Sequence, residues 1–132
     1  MTIGYWCVLA AAVLPQLFVL LTGVPTKDAA SRWGKGYDNR EPREYLAKLE
    51  GWRRRARAAE ANGYEAFAPF AAAVIIAHLT HAPPRTVDLL ALAFVACRLA
   101  HGAFYIADLR TLRSLIWFGG VGATLALFLS GA

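Results

Sequence analysis

Four stretches of roughly twenty mostly apolar residues constrain this chain more than anything else in it. They run over about 3–24, 61–80, 87–107 and 112–130. About twenty residues of helix cross the hydrocarbon core of a bilayer. The chain has 132 residues, 58% of them apolar. A soluble globule this small has too little interior to bury that much apolar surface. The sequence therefore predicts an all-α membrane protein: one domain, a four-transmembrane-helix bundle. The first stretch lacks a basic leader and is long for the apolar part of a secretory signal, so it is read as a retained span.

The connections set an orientation. HAPPR (81–85) and the turn near 108–111 are tight, and Pro83–Pro84 separates the second helix from the third. The first connection, about 25–60, is long. It carries ten basic residues: Lys27, Arg32, Lys35, Arg40, Arg43, Lys48, Arg53, Arg54, Arg55 and Arg57. HAPPR carries one, Arg85. By the positive-inside rule the first and third connections face the cytoplasm and both termini face away. The expectation is a multi-pass protein of the cell inner membrane, in contact with membrane lipids. Net charge is +5, but the charge is concentrated in one connection of an otherwise apolar chain, which argues against nucleic acid as a partner. GYDNREP (36–42) reads as a turn-rich loop. The helix formers from about Glu44 predict that the second helix begins before its membrane part and projects into the cytoplasm. Cys7 and Cys97 read as buried apolar residues.

The informative residues are the polar ones inside the spans. Ionisable side chains there are costly, and they face a partner or a cavity. In EANGYEAFAPF (60–70), Asn62 and Glu65 lie about 60° apart on a helical wheel, and Arg55 lies within about 20° of Asn62. These three form one stripe, with Pro69 just beyond it. Arg98, His101 and Tyr105, spaced three and four apart, share a face of the third helix. Asp108 and Arg110 follow, and Arg113 opens the fourth helix. One reading makes Glu65 and Arg98 an internal ion pair without chemistry. The other notes that the stripes hold more polar groups than one pair needs. They fit a wet, net-positive site for an anionic ligand, because arginine grips carboxylates bidentately. Tyr64 and Phe67 read as lipid- or core-facing, His78 and His81 as interfacial, and most of the RRRAR run (53–57) as solvated.

These residues resemble those of the MAPEG family, the membrane-associated proteins in eicosanoid and glutathione metabolism, in its bacterial members. The resemblance rests on YDNREPREYLAKLEGW, on RARAAEANGYEAFAPF and on CRLAHGAFYIADLRTLRSLIW. In order these hold N-x-x-E, R-x-x-H-x-x-x-Y and an arginine pair at the last turn. The resemblance implies a homotrimer with glutathione bound as co-substrate between subunits near the cytoplasmic end. It implies that Asn62 and Glu65 contact glutathione, Glu65 taking its amino group. It further implies that Arg98, His101 and Tyr105 line the same pocket, that Arg110 meets the peptide's carboxylates, and that Arg113, beside Ser114, holds the thiolate as the catalytic residue. The chain departs from the family pattern at Ala58, where many members carry arginine, at Ala61, where another subset does, and at Trp117, where some carry tyrosine; Arg55 or Arg57 stands near as a substitute. The activity implied is a glutathione transferase or peroxidase acting on lipophilic small molecules. The alternative is a non-catalytic trimeric membrane protein with a vestigial or different anionic-ligand pocket. An ion pathway through Glu65, Arg98 and His101 is a third reading, weakened by the lack of further acidic residues in the spans.

Overall fold

Helix–helix contacts made through alanine and glycine set the architecture. The computed structural model describes residues 1–22 and 40–131. Among the described residues five helices follow in order: α1 (Ile3–Thr22), α2 (Pro42–Ala47), α3 (Gly51–Leu79), α4 (Pro84–Ile106) and α5 (Arg110–Leu129). Helices α3 and α4 pack together, with α1 and α5 on opposite sides of the pair. Two of the helices, α4 and α5, are long and apolar enough to cross a membrane, and α1 holds a shorter apolar stretch, Ile3–Phe18. The first connection lies largely outside the described residues, as does most of GYDNREP.

The core is built from Cys7 and Ala11 of α1, Phe70, Ala73, Val74 and Ala77 of α3, Val87, Ala91 and Phe94 of α4, and Ala123 and Leu127 of α5. Phe70 stacks face to face on Phe94, ring centroids 3.8 Å apart. A second, smaller cluster joins Leu14 and Phe18 to Ala59, with Tyr105 and Ile106 against it. The outward faces are apolar too. Trp6, Leu9, Val13 and Leu17 form an exposed row on α1, and Leu115, Phe118, Leu125 and Leu129 stand out on α5. Apolar surface on this scale marks a face meant for lipid or another chain.

Two glycines permit close crossings of α1 with α3 and α4. A methyl group on Gly63 would lie 2.8 Å from Cγ of Pro15, and one on Gly102 would overlap the Phe18 ring. Small residues of this kind let membrane helices approach closely.

The helix formers after Glu44 do not make one continuous helix. The chain breaks after Ala47, and Gly51, at φ 58°, restarts it. Glycine tolerates that left-handed backbone where other residues strain. Even so, α3 has 29 residues, about 43 Å at 1.5 Å per residue, which exceeds the roughly 30 Å of a hydrocarbon core. Pro84 starts α4 rather than ending α3, because a first-turn position needs no N–H. Cys97 is only half-buried, unlike Cys7.

The bundle end remote from Arg113 is tied by polar contacts. Asp88 of α4 accepts a 2.7 Å hydrogen bond from the Gly4 backbone N–H in the first turn of α1. His78 stacks on Tyr5 and lies 2.8 Å from the Val74 carbonyl through Nδ1 and 2.7 Å from Thr2 Oγ1 through Nε2. The carbonyl can only accept, so Nδ1 donates, and in the neutral ring Nε2 accepts from the threonine hydroxyl. His78 thus ties α3 to α1.

These crossings predict that Gly102→Val lowers stability by about 1–3 kcal/mol through overpacking against Phe18. Gly122, with open space around it, serves as the comparison: Gly122→Ala leaves stability within about 0.5 kcal/mol. Unfolding in detergent, followed by circular dichroism, checks both.

Candidate functional site

The site begins with a buried cation. Arg98 sits in the middle of α4 and is only 5% exposed. Its Nη1 donates a 3.0 Å hydrogen bond to Oδ1 of Asn62 on α3. Its guanidinium lies against the backbone of α5 at Gly120, where an added methyl would stand 2.8 Å from Nη2. The guanidinium carbon is 5.6 Å from the centre of the Phe94 ring. Arg98 Nε finds no hydrogen-bond partner among the described residues. Glu65 and Arg98 form no ion pair among them either. The amide of Asn62 takes the place that the ion-pair reading gave to the carboxylate. Arginine remains charged in proteins, so Arg98 brings a cation, one of its donors unsatisfied, to the wall of a cleft.

Three clefts run in line from that point to the helix ends. The first, about 320 Å³, is walled by Asn62, Glu65, Ala66 and Pro69 of α3, Phe94 and Arg98 of α4, and Trp117, Gly120, Val121, Thr124, Leu125 and Phe128 of α5. Its walls are mostly apolar, with Arg98, Asn62, Glu65 and Thr124 the polar residues among them. The second, about 350 Å³, shares Asn62 and Trp117 with the first and adds His101, Tyr105, Arg113, Ser114 and Phe118. The third, about 560 Å³, shares Tyr105 and Arg113 with the second and adds Glu50, Gly51, Arg54, Arg55, Ala58, Asp108 and Arg110. A polar groove thus opens at the ends of α3, α4 and α5 and leads to an apolar pocket.

Local contacts fix several of these side chains. The Arg113 guanidinium lies 4.3 Å above the Tyr105 ring, a cation–π contact. Tyr105 meets His101 edge to face, at 5.5 Å. His101 is buried and reaches the groove from α4, with Leu14, Pro15 and Phe18 of α1 behind it. Arg55 donates from Nε to the Ile106 carbonyl at 3.0 Å and so caps the end of α4. Arg110 pairs with Asp108 at 3.5 Å and stays largely exposed. Tyr64, one helical step from the groove, accepts a hydrogen bond from the Gln16 side-chain amide.

The eight residues expected from sequence border three clefts linked by shared residues. Asn62, Glu65 and Arg98 border the first cleft, and Asn62, His101, Tyr105 and Arg113 the second. Tyr105, Arg55, Arg110 and Arg113 border the third. Sequence reasoning missed Arg54 and Gly120. Arg54 stands one turn before Ala58 on the same helical face, and that i, i+4 relation was the available signal. Gly120 gives Arg98 its room, which only the crossing of α4 and α5 reveals.

Asn62→Ala removes the side-chain acceptor that buried Arg98 has among the described residues. A loss of about 1–3 kcal/mol is expected. Arg98→Met, which removes the cation as well, relieves much of that loss in the double variant. A double-mutant cycle on unfolding free energy should give a coupling of at least about 1 kcal/mol; no coupling would break the link between the two side chains.

The family model described as "MAPEG family" matches residues 3–132, nearly the whole chain. No curated protein and no solved structure gives a match.

Proposed function

The chain belongs to the MAPEG family and is a membrane protein, and from that premise we propose that it is a glutathione-dependent transferase or peroxidase acting on lipophilic electrophiles at the membrane. The observation that carries this reading is the joining of the clefts. A groove with Arg113, Tyr105 and His101 on its walls runs into an apolar pocket through shared residues. A charged tripeptide and a bilayer-dissolved compound can therefore meet without either leaving its own kind of surroundings.

In this proposal Asn62 and Glu65 hold the peptide's amide and amino groups. Arg98, His101 and Tyr105 line its pocket, and Arg110 and Arg55 attend its carboxylates. Arg113 is the catalytic cation. A thiol is a weak nucleophile until ionised, and a nearby guanidinium favours the thiolate. The thiol proton leaves to water, and the thiolate attacks an electrophilic carbon and displaces the leaving group. With a hydroperoxide, the sulfur instead takes one oxygen and releases the alcohol. A second glutathione then forms the disulfide and water. The working unit proposed is a homotrimer in the cell inner membrane, each chain crossing four times with both termini on the non-cytoplasmic side. The exposed apolar rows on α1 and α5 are consistent with lipid and neighbouring chains around each bundle.

The second reading is a non-catalytic trimeric membrane protein that keeps a vestigial pocket or binds another anion. It draws on Ala58, a small apolar residue among the arginines of the third cleft.

Two variants test the roles. Glu65→Gln should raise the KM for glutathione at least about tenfold, since a hydrogen bond to a charged group is worth about 1.5–3 kcal/mol, with the oligomer unchanged on size exclusion. Arg113→Ala should lower kcat with an aryl halide more than it raises KM. Equal kcat in wild type and Arg113→Ala would remove Arg113 from the mechanism, and an enzyme inert to both electrophile and hydroperoxide would favour the second reading.

A further inference from the structure

The amide of Asn62 can face a ligand in one sense only. A guanidinium donates and cannot accept, so the Asn62 atom that takes the 3.0 Å hydrogen bond from Arg98 Nη1 is the carbonyl oxygen Oδ1. Turning the amide over would set N–H against N–H and strip a buried cation of that acceptor. Arg98 is itself held in place: it is 5% exposed, with Gly120 of α5 against Nη2 and the Phe94 ring beside the guanidinium. So enclosed an arginine has little surface of its own to offer a ligand. What it fixes is the orientation of its neighbour. With Oδ1 taken, Asn62 turns Nδ2 to the clefts it lines, and Nδ2 carries two N–H donors and no acceptor.

The place of that donor pair selects its partner. Asn62 and Trp117 line both the mostly apolar first cleft and the polar second one. On the glutathione reading, on which this inference rests, the thiolate meets its electrophile where those clefts join. The charged and titratable groups around the junction are Glu65 on α3, Arg98, His101 and Tyr105 on α4, and Arg113 on α5. Arg113 lines the second cleft and not the first, so it reaches the sulfur from the polar side. We infer that Asn62 is a second group on the reacting sulfur, donating an N–H from Nδ2 to the thiolate, and that Arg98 is a positioning residue acting through the Asn62 amide. One N–H of the pair serves the peptide's amide and the other serves the sulfur. A hydrogen bond to the charged form of a group favours that form, so Asn62 adds to what Arg113 does for the thiolate. The proton still leaves to water.

The test compares the full chain in mild detergent with Asn62→Asp, Asn62→Leu, Arg98→Lys and Arg98→Met, each checked for assembly by size exclusion. The readouts are kcat and KM for glutathione with an aryl halide, and the pH dependence of kcat, which reports groups in the enzyme–substrate complex. Asn62→Asp still accepts from Arg98 but has no N–H to give, and Asn62→Leu has none either. Both should move the rising limb of the kcat profile up by about one pH unit or more, the worth of a hydrogen bond to a charged group, and should lower kcat at neutral pH more than they raise KM. Arg98→Met frees the amide and should do the same; Arg98→Lys keeps a donor for Oδ1 and should recover most of the wild-type profile. A shift confined to Asn62→Asp would be the effect of added charge and would overturn the sulfur contact, as would a raised KM with the profile unmoved. A wild-type profile in Arg98→Met would overturn the positioning role. Should the apolar variants fail to assemble, Gly120→Ala decides: its methyl meets Nη2 at 2.8 Å and displaces the guanidinium while every polar group stays, and an unmoved profile there overturns the inference. A wild type without turnover removes the glutathione reading and this inference with it; a working wild type with unmoved variants removes this inference alone.

Discussion

Everything near the site depends on the buried guanidinium of Arg98. Desolvating a cation costs several kcal/mol even after the surroundings relax, and within a membrane the cost is contested but large. The fold meets part of that cost with Asn62, whose amide oxygen takes Nη1, with Gly120, which lets the guanidinium approach α5, and with the face of Phe94. These contacts draw together the three helices that wall the first cleft. The same arrangement turns the Asn62 side chain to the point where the apolar and polar clefts meet.

The surrounding bundle makes this possible by being thin in side chain. Alanine at 73, 77 and 91 and glycine at 63 and 102 bring the backbones close. Many large apolar residues are turned outward. A membrane protein gains little from burying leucine against leucine, since lipid is equally apolar, so close backbone approach carries the packing. With the helices drawn together, polar groups from three of them converge without long, mobile side chains. The other end is tied separately, by Asp88 on the start of α1 and by His78 between Thr2 and Val74.

Much of this was legible in the sequence, for a physical reason. Apolar length gives the helices of such a chain, and polar residues at helical spacing give its lined face. Arg98, His101 and Tyr105 are three and four apart, and they share one side of the groove. What depends on how helices cross was not legible. Arg98 chooses Asn62 rather than Glu65 because of relative helix rotation. Arg54 joins the cleft because α3 starts at Gly51 and carries that face past the ends of α4 and α5. The break at Lys48–Glu50 was hidden by good helix formers, and only the left-handed backbone of Gly51 accounts for it. The role of His78 as a tie depends on Thr2, 76 residues away.

The proposed role of the groove is a site for an anionic thiol, primed by Arg113. The most direct measurement is a glutathione titration of the detergent-purified protein at neutral pH, following ultraviolet absorbance of the thiolate. Free thiol titrates near pH 8.5, so unbound glutathione contributes little signal at neutrality. The expected result is a saturable thiolate signal that Arg113→Ala abolishes. No signal at millimolar glutathione, from a folded protein with its oligomer intact, would contradict it.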